Sequence, residues 1–184
     1  MDDDLQRIVR RVVGEALGSA SAPVPAAPSE AEPQAAPGRG QVALGADHGG
    51  YNLKEALKRH LEEQGYSIID CGTHSTDAVD YPDFARAVAV LVGQGKAWRG
   101  IMVDGAGIGS SMAANKVAGV RASLCYDHAT AHNAREHNDA NVLTLGAGLI
   151  GESLAKQITD IWLTTEFGGE RHARRVQKIM EIEE

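Results

Sequence analysis

Residues 42–64 read VALGADHGGYNLKEALKRHLEEQ, and this stretch decides the fold. An apolar run as long as a buried strand leads into a glycine-rich turn, and apolar residues then follow at the three-to-four spacing of an amphipathic helix. The alternation continues along the chain. It predicts strands at 42–46, 67–70, 100–103, 122–126 and 142–145, and helices at 51–64, 82–93, 110–116, 128–137, 152–165 and 171–182. Alternating strands and helices favour an α/β fold with a five-stranded, mainly parallel sheet.

The sequence before this domain, which we assign to residues 41–184, divides into two segments. Residues 1–17 carry apolar side chains at helical spacing and predict an amphipathic helical tag. So short a helix is marginal alone in water and needs a surface to bind. Residues 18–40 are rich in alanine, proline and serine, and they predict a disordered linker.

Composition narrows the class of protein. The net charge of −7 argues against general nucleic-acid binding, because the phosphate backbone attracts clustered lysine and arginine. No run approaches the ~20 apolar residues that span a bilayer, and the acidic N-terminus lacks the apolar core of a secretion signal. Cys71 and Cys125 fit neither a disulfide framework nor a cysteine-rich metal site. We therefore expect a cytoplasmic protein with reduced thiols.

Two glycine-rich turns carry candidate chemistry, and we expect the functional motifs to fall in such strand-to-helix turns, where α/β folds bind ligands. Asp47 and His48 follow the first strand and offer a charge beside a proton carrier, or else an N-cap aspartate with an incidental histidine. The turn DGAGIGSS at 104–111 contains Gly105, Gly107 and Gly109. Its amides can converge on a phosphate or an oxyanion, or the glycines can serve a tight turn alone.

Histidines and arginines cluster in the last third of the chain. His128 and His132 are four residues apart, a metal-ligand spacing, but no further ligand pattern supports a metal site. His137 ends a predicted helix and is expected to face a cleft. Arg171 and Arg175 share one helix face, which suits a phosphate dianion or a solvated basic helix end.

Seven short blocks in this order resemble the ribose-5-phosphate isomerase B and galactose-6-phosphate isomerase family. They lie at 46–51 (ADHGGY), 80–82 (DYP), 107–109 (GIG), 113–117 (AANKV), 119–122 (GVRA), 135–142 (REHNDANV) and 171–176 (RHARRV). The resemblance runs from about residue 41 to the C-terminus. It implies a Rossmann-like three-layer α/β/α sandwich, and homodimers or homotetramers whose active sites are shared between subunits.

The resemblance also implies chemistry, the movement of a proton between C1 and C2 of an open-chain sugar phosphate through an enediolate. It places His137 in ring opening, and Asn138 with the amides around Gly105, Gly107 and Gly109 at the enediolate. It further implies that His48, Arg171 and Arg175 bind the phosphate, while Asp47 and Tyr81 line the sugar pocket. Such chemistry requires neither a metal nor an organic cofactor.

The sequence departs from the family pattern in three respects, which involve four positions. One branch has a cysteine as proton-abstracting base where this chain has Asp104, and another has a glutamate where it has Ser110, which we group with the substrate-binding residues. Asp104 is expected either to replace that base or to hold structure or substrate. Ala106 lacks a hydroxyl that the cysteine branch commonly has, and Gly148 stands where the family often has an arginine.

The N-terminal tag and linker resemble the encapsulation peptides of bacterial microcompartment cargo enzymes. The resemblance implies a shell protein as partner of residues 1–17 and a location inside a microcompartment. Docking on the chain's own domain, a contact between subunits of an oligomer, and binding at a membrane surface are the alternatives.

The expected function is therefore a cofactor-independent aldose–ketose isomerase, with ribose 5-phosphate and ribulose 5-phosphate as the leading substrate pair. Erythrose 4-phosphate and erythrulose 4-phosphate are the second pair. A non-catalytic sugar-phosphate-binding homologue is the alternative of a different class.

Overall fold

The computed structural model describes residues 39–183, which form five strands and six helices. In chain order they are β1 Arg39–Ala46, α1 Tyr51–Glu63, β2 Tyr66–Gly72, α2 Tyr81–Gly93, β3 Arg99–Asp104, α3 Ile108–Ala114, β4 Ala122–Leu124, α4 His128–Glu136, β5 Val142–Gly146, α5 Glu152–Thr164 and α6 Glu170–Met180, with a final 3₁₀ turn at Glu181–Glu183.

The sheet has the order β2-β1-β3-β5-β4, and every adjacent pair of strands is parallel. Its strands are apolar on both faces because helices cover both. Leu44 and Ile101 pack with α1, α4 and α5 on one face, whereas Ala43 and Val142 pack with α2 and α3 on the other. The predicted α/β/α sandwich with a five-stranded parallel sheet is therefore confirmed.

All the predicted elements are present, and their ends differ for local reasons. β4 stops at Leu124, two residues early, because the amides of Tyr126 and Asp127 both donate to Thr130 Oγ1 (3.2 Å). Asp127 and Thr130 form a capping box that starts α4. β1 begins at Arg39, so residues 39 and 40 belong to the sheet and not to the linker. The predicted tag and the rest of the linker lie outside the described residues.

A buried ion pair fastens α1 to β2. The side chain of Lys54 is completely buried, and its Nζ lies 2.8 Å from Asp70 Oδ1 and 2.9 Å from Glu55 Oε1. Asp70 Oδ1 also accepts a hydrogen bond from the Gly72 amide (3.0 Å), and its Oδ2 from Lys58 (2.9 Å). Burial alone would raise the pKa of Asp70, but these hydrogen bonds lower it overall. The pair thus holds the helix that follows the Asp47 turn.

No helix in the described part of the chain is both long and apolar enough to cross a membrane.

We predict that Lys54→Met lowers the free energy of unfolding by about 3 kcal/mol, because Asp70 Oδ1 loses its buried cation and keeps only the Gly72 amide as partner. Lys58→Met is the matched control, since Lys58 contacts the same carboxylate but is 30% exposed, and it should cost less than about 1 kcal/mol. Urea unfolding at pH 7 measures both. Equal effects of the two variants would contradict the buried-pair interpretation.

The same pair predicts an acid dependence of stability. Because the folded pKa of Asp70 lies below its unfolded value, its contribution is present above about pH 4 and is lost as the pH falls through the folded pKa. Lys54→Met should reduce this loss in unfolding curves recorded between pH 5 and pH 2.5.

Candidate active site

The turn after β3 is organised by the carboxylate of Asp104, which is only 4% exposed. Its Oδ1 accepts hydrogen bonds from the amides of Ala106 (2.8 Å) and Gly107, and its Oδ2 from the amide (3.1 Å) and hydroxyl of Ser110. The carboxylate is therefore directed into its own loop. Of the two roles expected for Asp104, this geometry matches the structural one.

Glycine is required at the centre of this turn. Gly107 has φ +76°, and a Cβ there would lie 2.5 Å from Leu124 Cδ1. Its carbonyl accepts a hydrogen bond from Thr144 Oγ1 on β5 (2.9 Å). The loop is thus fixed both to its own aspartate and to the neighbouring strand.

The turn after β1 lies beside it. The Asp47 amide donates to Val103 O on β3 (3.1 Å), and Asp47 Oδ1 accepts from the Gly50 amide (2.9 Å). Gly50 permits this approach, because a Cβ there would lie 2.2 Å from Val103 O. His48 Nδ1 lies 3.2 Å from both the amide nitrogen and the carbonyl oxygen of Val79, so its ring is held by the loop before α2.

Tyr81 and the loop glycines complete a cleft between β1 and β3. A Cβ on Gly109 would lie 2.6 Å from the Tyr81 hydroxyl, so the phenol ring rests on this glycine. Gly105 faces open space, with nothing within 4 Å of a built Cβ. A Cβ on Gly49 would lie 3.4 Å from Asp47 Oδ1 and 3.7 Å from the Gly105 amide nitrogen, so the two turns form one surface. Between β1 and β3 the order of the strands in the sheet reverses. Open α/β folds usually bind ligands at this point.

A second group of candidate residues gathers where α4 ends. His137 Nδ1 lies 2.9 Å from Asn133 Nδ2, and its Nε2 lies 3.2 Å from Glu136 Oε2. Its ring stacks on His172 with centroids 4.4 Å apart. Asn138 Nδ2 donates to Asn133 O (3.2 Å).

α6 brings its cations to this second group. Arg171 Nε donates to His172 Nε2 (3.3 Å), and Arg171 and Arg175 are exposed on the same helix. Partial desolvation and the neighbouring charges of His137, Arg171 and Arg175 lower the pKa of His172. The arrangement gathers guanidinium groups and imidazoles in one place, which suits an anion.

The two groups lie at opposite edges of the sheet, and this corrects one expectation. Asp47, His48, Tyr81 and the 104–110 loop follow strands, whereas His137 and Asn138 precede β5, in a helix-to-strand turn. β3 has six residues and rises by about 3.3 Å per residue, so the edges are about 17 Å apart. The structure therefore does not bring all the predicted site residues together within one chain.

Asn133 and His172 were missed by the sequence analysis, although both contact His137. Asn133 precedes His137 by one helical turn, which is the signal that could have found it. His172 could be found only from the stacking of α6 on the end of α4, which sequence spacing does not show.

No group of three or more histidine, cysteine or acidic side chains within residues 39–183 is arranged to hold a metal ion. His132, which shares a possible metal-ligand spacing with His128, instead has its Nδ1 3.3 Å from Glu136 Oε2.

The matches to known proteins cover almost the whole of the described domain. A sequence profile described as Ribose/Galactose Isomerase matches residues 42–179. Ribose-5-phosphate isomerase B of Escherichia coli is 44% identical over 144 residues, which are 78% of this chain and 97% of the relative. D-erythrulose-4-phosphate isomerase of Pectobacterium atrosepticum is 41% identical over 139 residues, 75% of this chain and 91% of the relative.

A solved structure agrees with these sequence matches. Ribose-5-phosphate isomerase B of Clostridium thermocellum superposes with a TM-score of 0.77 at 52% identity, covering 78% of this chain and 97% of that one. Matches of this identity and coverage, together with the profile, establish the class of enzyme as well as the fold. The chain belongs to the ribose/galactose isomerase family of sugar-phosphate isomerases.

Proposed function

We propose that this chain interconverts ribose 5-phosphate and ribulose 5-phosphate through an enediolate. The observation that carries the proposal is the cleft between β1 and β3, where Asp47, His48 and Tyr81 meet a glycine loop with unpaired amides. The backbone N–H groups of Gly105, Ile108 and Gly109 donate to no other described residue. Amides held in this way stabilise the oxyanion that develops when a proton leaves the carbon next to a carbonyl.

The remaining roles follow from chemistry and position. We assign His137 to ring opening, because imidazole exchanges protons near neutral pH. His48, Arg171 and Arg175 bind the phosphate, which guanidinium groups hold by paired hydrogen bonds. Asn138 supplies a further donor to the enediolate, and Tyr81 lines the sugar pocket. Ser110, which the sequence placed with the substrate-binding residues, is fully buried and donates both its amide and its hydroxyl to Asp104.

These roles require two copies of the chain at each site. The residues that follow strands and those at the end of α4 lie about 17 Å apart across the sheet. Helix α6, which carries both arginines, has no buried residue, and its Ile179 is 44% exposed. We infer that a second subunit covers α6 and receives its arginines and His137 into its own cleft, in a homodimer or homotetramer.

Erythrose 4-phosphate and erythrulose 4-phosphate are the second candidate pair, favoured by two observations. A relative at 41% identity is a D-erythrulose-4-phosphate isomerase. Gly148, where the family often has an arginine, donates its amide to Gly105 O (2.9 Å), and a Cβ there would lie 2.9 Å from that oxygen. Position 148 thus packs against the cleft without a cation, which alters the phosphate end of the pocket.

Proton NMR in heavy water tests the activity. Ribose 5-phosphate should convert to ribulose 5-phosphate with deuterium entering the exchanging carbon, and the faster of the two sugars identifies the better substrate. Erythrose 4-phosphate cannot close a five-membered ring, because its O4 carries the phosphate. His137→Gln should therefore lower the rate of ribose 5-phosphate conversion by roughly 10²-fold or more. The rate of erythrose 4-phosphate conversion should fall far less.

Binding of either sugar phosphate without exchange or conversion would contradict the proposal and favour the non-catalytic homologue. Equal slowing of both sugars by His137→Gln would contradict the assignment of His137 to ring opening.

Mixed oligomers test the shared site. Subunits carrying His137→Ala and subunits carrying Asp47→Asn with His48→Ala should each be inactive, yet a refolded equal mixture should regain about a quarter of wild-type activity. Half of the dimers are mixed, and each of these has one intact site. The matched control mixes His137→Ala with Arg171→Ala, which lie on the same side of the site and should not complement. No recovery in the first mixture would contradict the shared site.

We propose further that residues 1–17 are a cargo tag that directs this cytoplasmic enzyme into a bacterial microcompartment. The matches to the E. coli and C. thermocellum proteins cover nearly all of those chains but 78% of this one, and the family profile begins at residue 42. The tag and most of the linker therefore lie outside the region that matches these relatives. Their amphipathic and Ala/Pro-rich sequences suit a helix that docks on a shell protein.

Fusing residues 1–40 to a fluorescent protein should concentrate fluorescence in shells produced by the host. The control fusion replaces Ile8 and Val12 by aspartate, which interrupts the apolar stripe and should leave fluorescence diffuse. Diffuse fluorescence of the unmodified fusion in cells with intact shells would contradict the tag.

A further inference from the structure

The carboxylate of Asp104 has no free position for a substrate proton. An ionised carboxylate has about four lone-pair sites. All are used here, by the amides of Ala106 and Gly107 on Oδ1 and by the amide and hydroxyl of Ser110 on Oδ2. The residue is also buried beneath the loop on which a substrate would lie. A proton-abstracting base needs a lone pair within reach of the carbon-bound proton.

Asp47 is also largely buried (7% exposed), but its carboxylate accepts one hydrogen bond and not four. Its Oδ1 accepts the Gly50 amide at 2.9 Å, which fixes the plane of the carboxylate. Its Oδ2 accepts no hydrogen bond from any described residue, and this oxygen is not completely buried. Asp47 also faces the Gly105 side of the loop, where unpaired amides lie.

The other groups at this edge are less suited to the task. His48 is exposed, and its Nδ1 is engaged with Val79. Tyr81 is a phenol, and the Ser110 hydroxyl donates to Asp104. Of the four side chains compared with Asp104, Asp47 is the one that combines a carboxylate with an unused oxygen.

Resting on the proposed function, we propose that Asp47 is the base that takes the carbon-bound proton, and that Asp104 is a positioning residue that shapes the oxyanion loop. Asp47 Oδ2 removes the proton from C2 of the open-chain aldose. The electron pair of that C–H bond becomes the C1–C2 double bond, and the carbonyl π pair moves onto O1, next to the free loop amides. Asp47 then returns the proton to C1, and the proton on O2 moves to O1, which leaves the ketone at C2.

Asp104 contributes by accepting hydrogen bonds from three loop amides, which fixes the conformation of the loop. With Ala106, Gly107 and Ser110 fixed, the remaining N–H groups of Gly105, Ile108 and Gly109 are left for the substrate. The aspartate thus replaces a reactive side chain at this position by an internal anion that orders the loop.

Two isosteric variants separate the roles. Asp47→Asn keeps an oxygen for the Gly50 amide, so its unfolding midpoint and its affinity for the non-isomerisable analogue ribitol 5-phosphate should match wild type. Its rate of deuterium incorporation from heavy water should fall by roughly 10³-fold. Asp104→Asn places an NH₂ group against amide donors. It should lower the unfolding midpoint, speed hydrogen exchange of the 105–110 amides and weaken analogue binding, while residual turnover keeps the wild-type pH profile.

Ser110→Ala gives a third test in a variant expected to fold. It removes one donor and frees a lone pair on Asp104, so a catalytic Asp104 would keep or increase its rate, whereas a positioning Asp104 gives a rate lower by roughly 3- to 10-fold. The proposal is overturned if Asp47→Asn exchanges deuterium at the wild-type rate. It is also overturned if Asp104→Asn abolishes exchange while loop protection and analogue affinity stay unchanged.

The wild-type chain is the internal control. If it exchanges deuterium into neither sugar phosphate, the proposed function and the role of Asp47 both fail. Hydrogen exchange of the loop in Asp104→Asn would still decide whether Asp104 positions the loop.

Discussion

The parallel direction of all five strands is the constraint on which the site depends. When every strand points the same way, each turn that leaves a strand lies at one edge of the sheet, and each turn that enters a strand lies at the other. Asp47, Tyr81 and the 104–110 loop therefore meet at one edge, while His137 and Asn138 are carried to the opposite edge. In the proposed shared site, two chains therefore supply the two groups.

Close backbone approach then shapes the first half of the site. Gly50 lets the start of α1 contact Val103 O, and the same contact brings the Asp47 turn against β3. One helical turn later, Lys54 binds Asp70 and so fixes α1 to β2 from beneath. Asp70 also accepts the Gly72 amide at the start of the segment that holds His48. Backbone packing and a buried ion pair thus position groups whose own contacts with the fold are few.

The regular elements were predictable because their periodicity records burial. Alternating apolar runs and helical stripes located every described strand and helix, since a sheet covered on both faces needs both patterns. Strand and helix ends were less predictable. β4 ends early because Thr130, a residue of the next helix, binds the amides of Tyr126 and Asp127.

The direction of the Asp104 side chain could not be predicted from the sequence. The glycines at 105, 107 and 109 predicted either a tight turn or a loop whose amides converge on an anion. The structure shows a turn in which the amides of Ala106, Gly107 and Ser110 converge on the carboxylate of Asp104. Whether its aspartate faces the substrate or the loop depends on the left-handed conformation of Gly107 and on the position of the Ser110 hydroxyl, which no spacing rule gives. The split between the two edges was in principle deducible, because His137 precedes a strand in the predicted order of elements.

The residues at the end of α4 contact a helix, α6, that the rest of the chain holds by few interactions. α6 has no buried residue. Its attachments include the His137–His172 stack, the contact of Arg121 Nη1 with Met180 Sδ (3.2 Å) and, on its two flanks, the bonds from the Gly168 amide to Glu136 O (2.8 Å) and from the Gly119 amide to Glu183 Oε2 (2.9 Å). The lowered pKa of His172 favours its neutral form, so the stacked imidazoles avoid a second positive charge beside Arg171. In the proposed shared site, a partner surface buries the apolar side of α6 and a phosphate neutralises its arginines. Assembly and phosphate binding then stabilise the same helix, so each should strengthen the other by linkage.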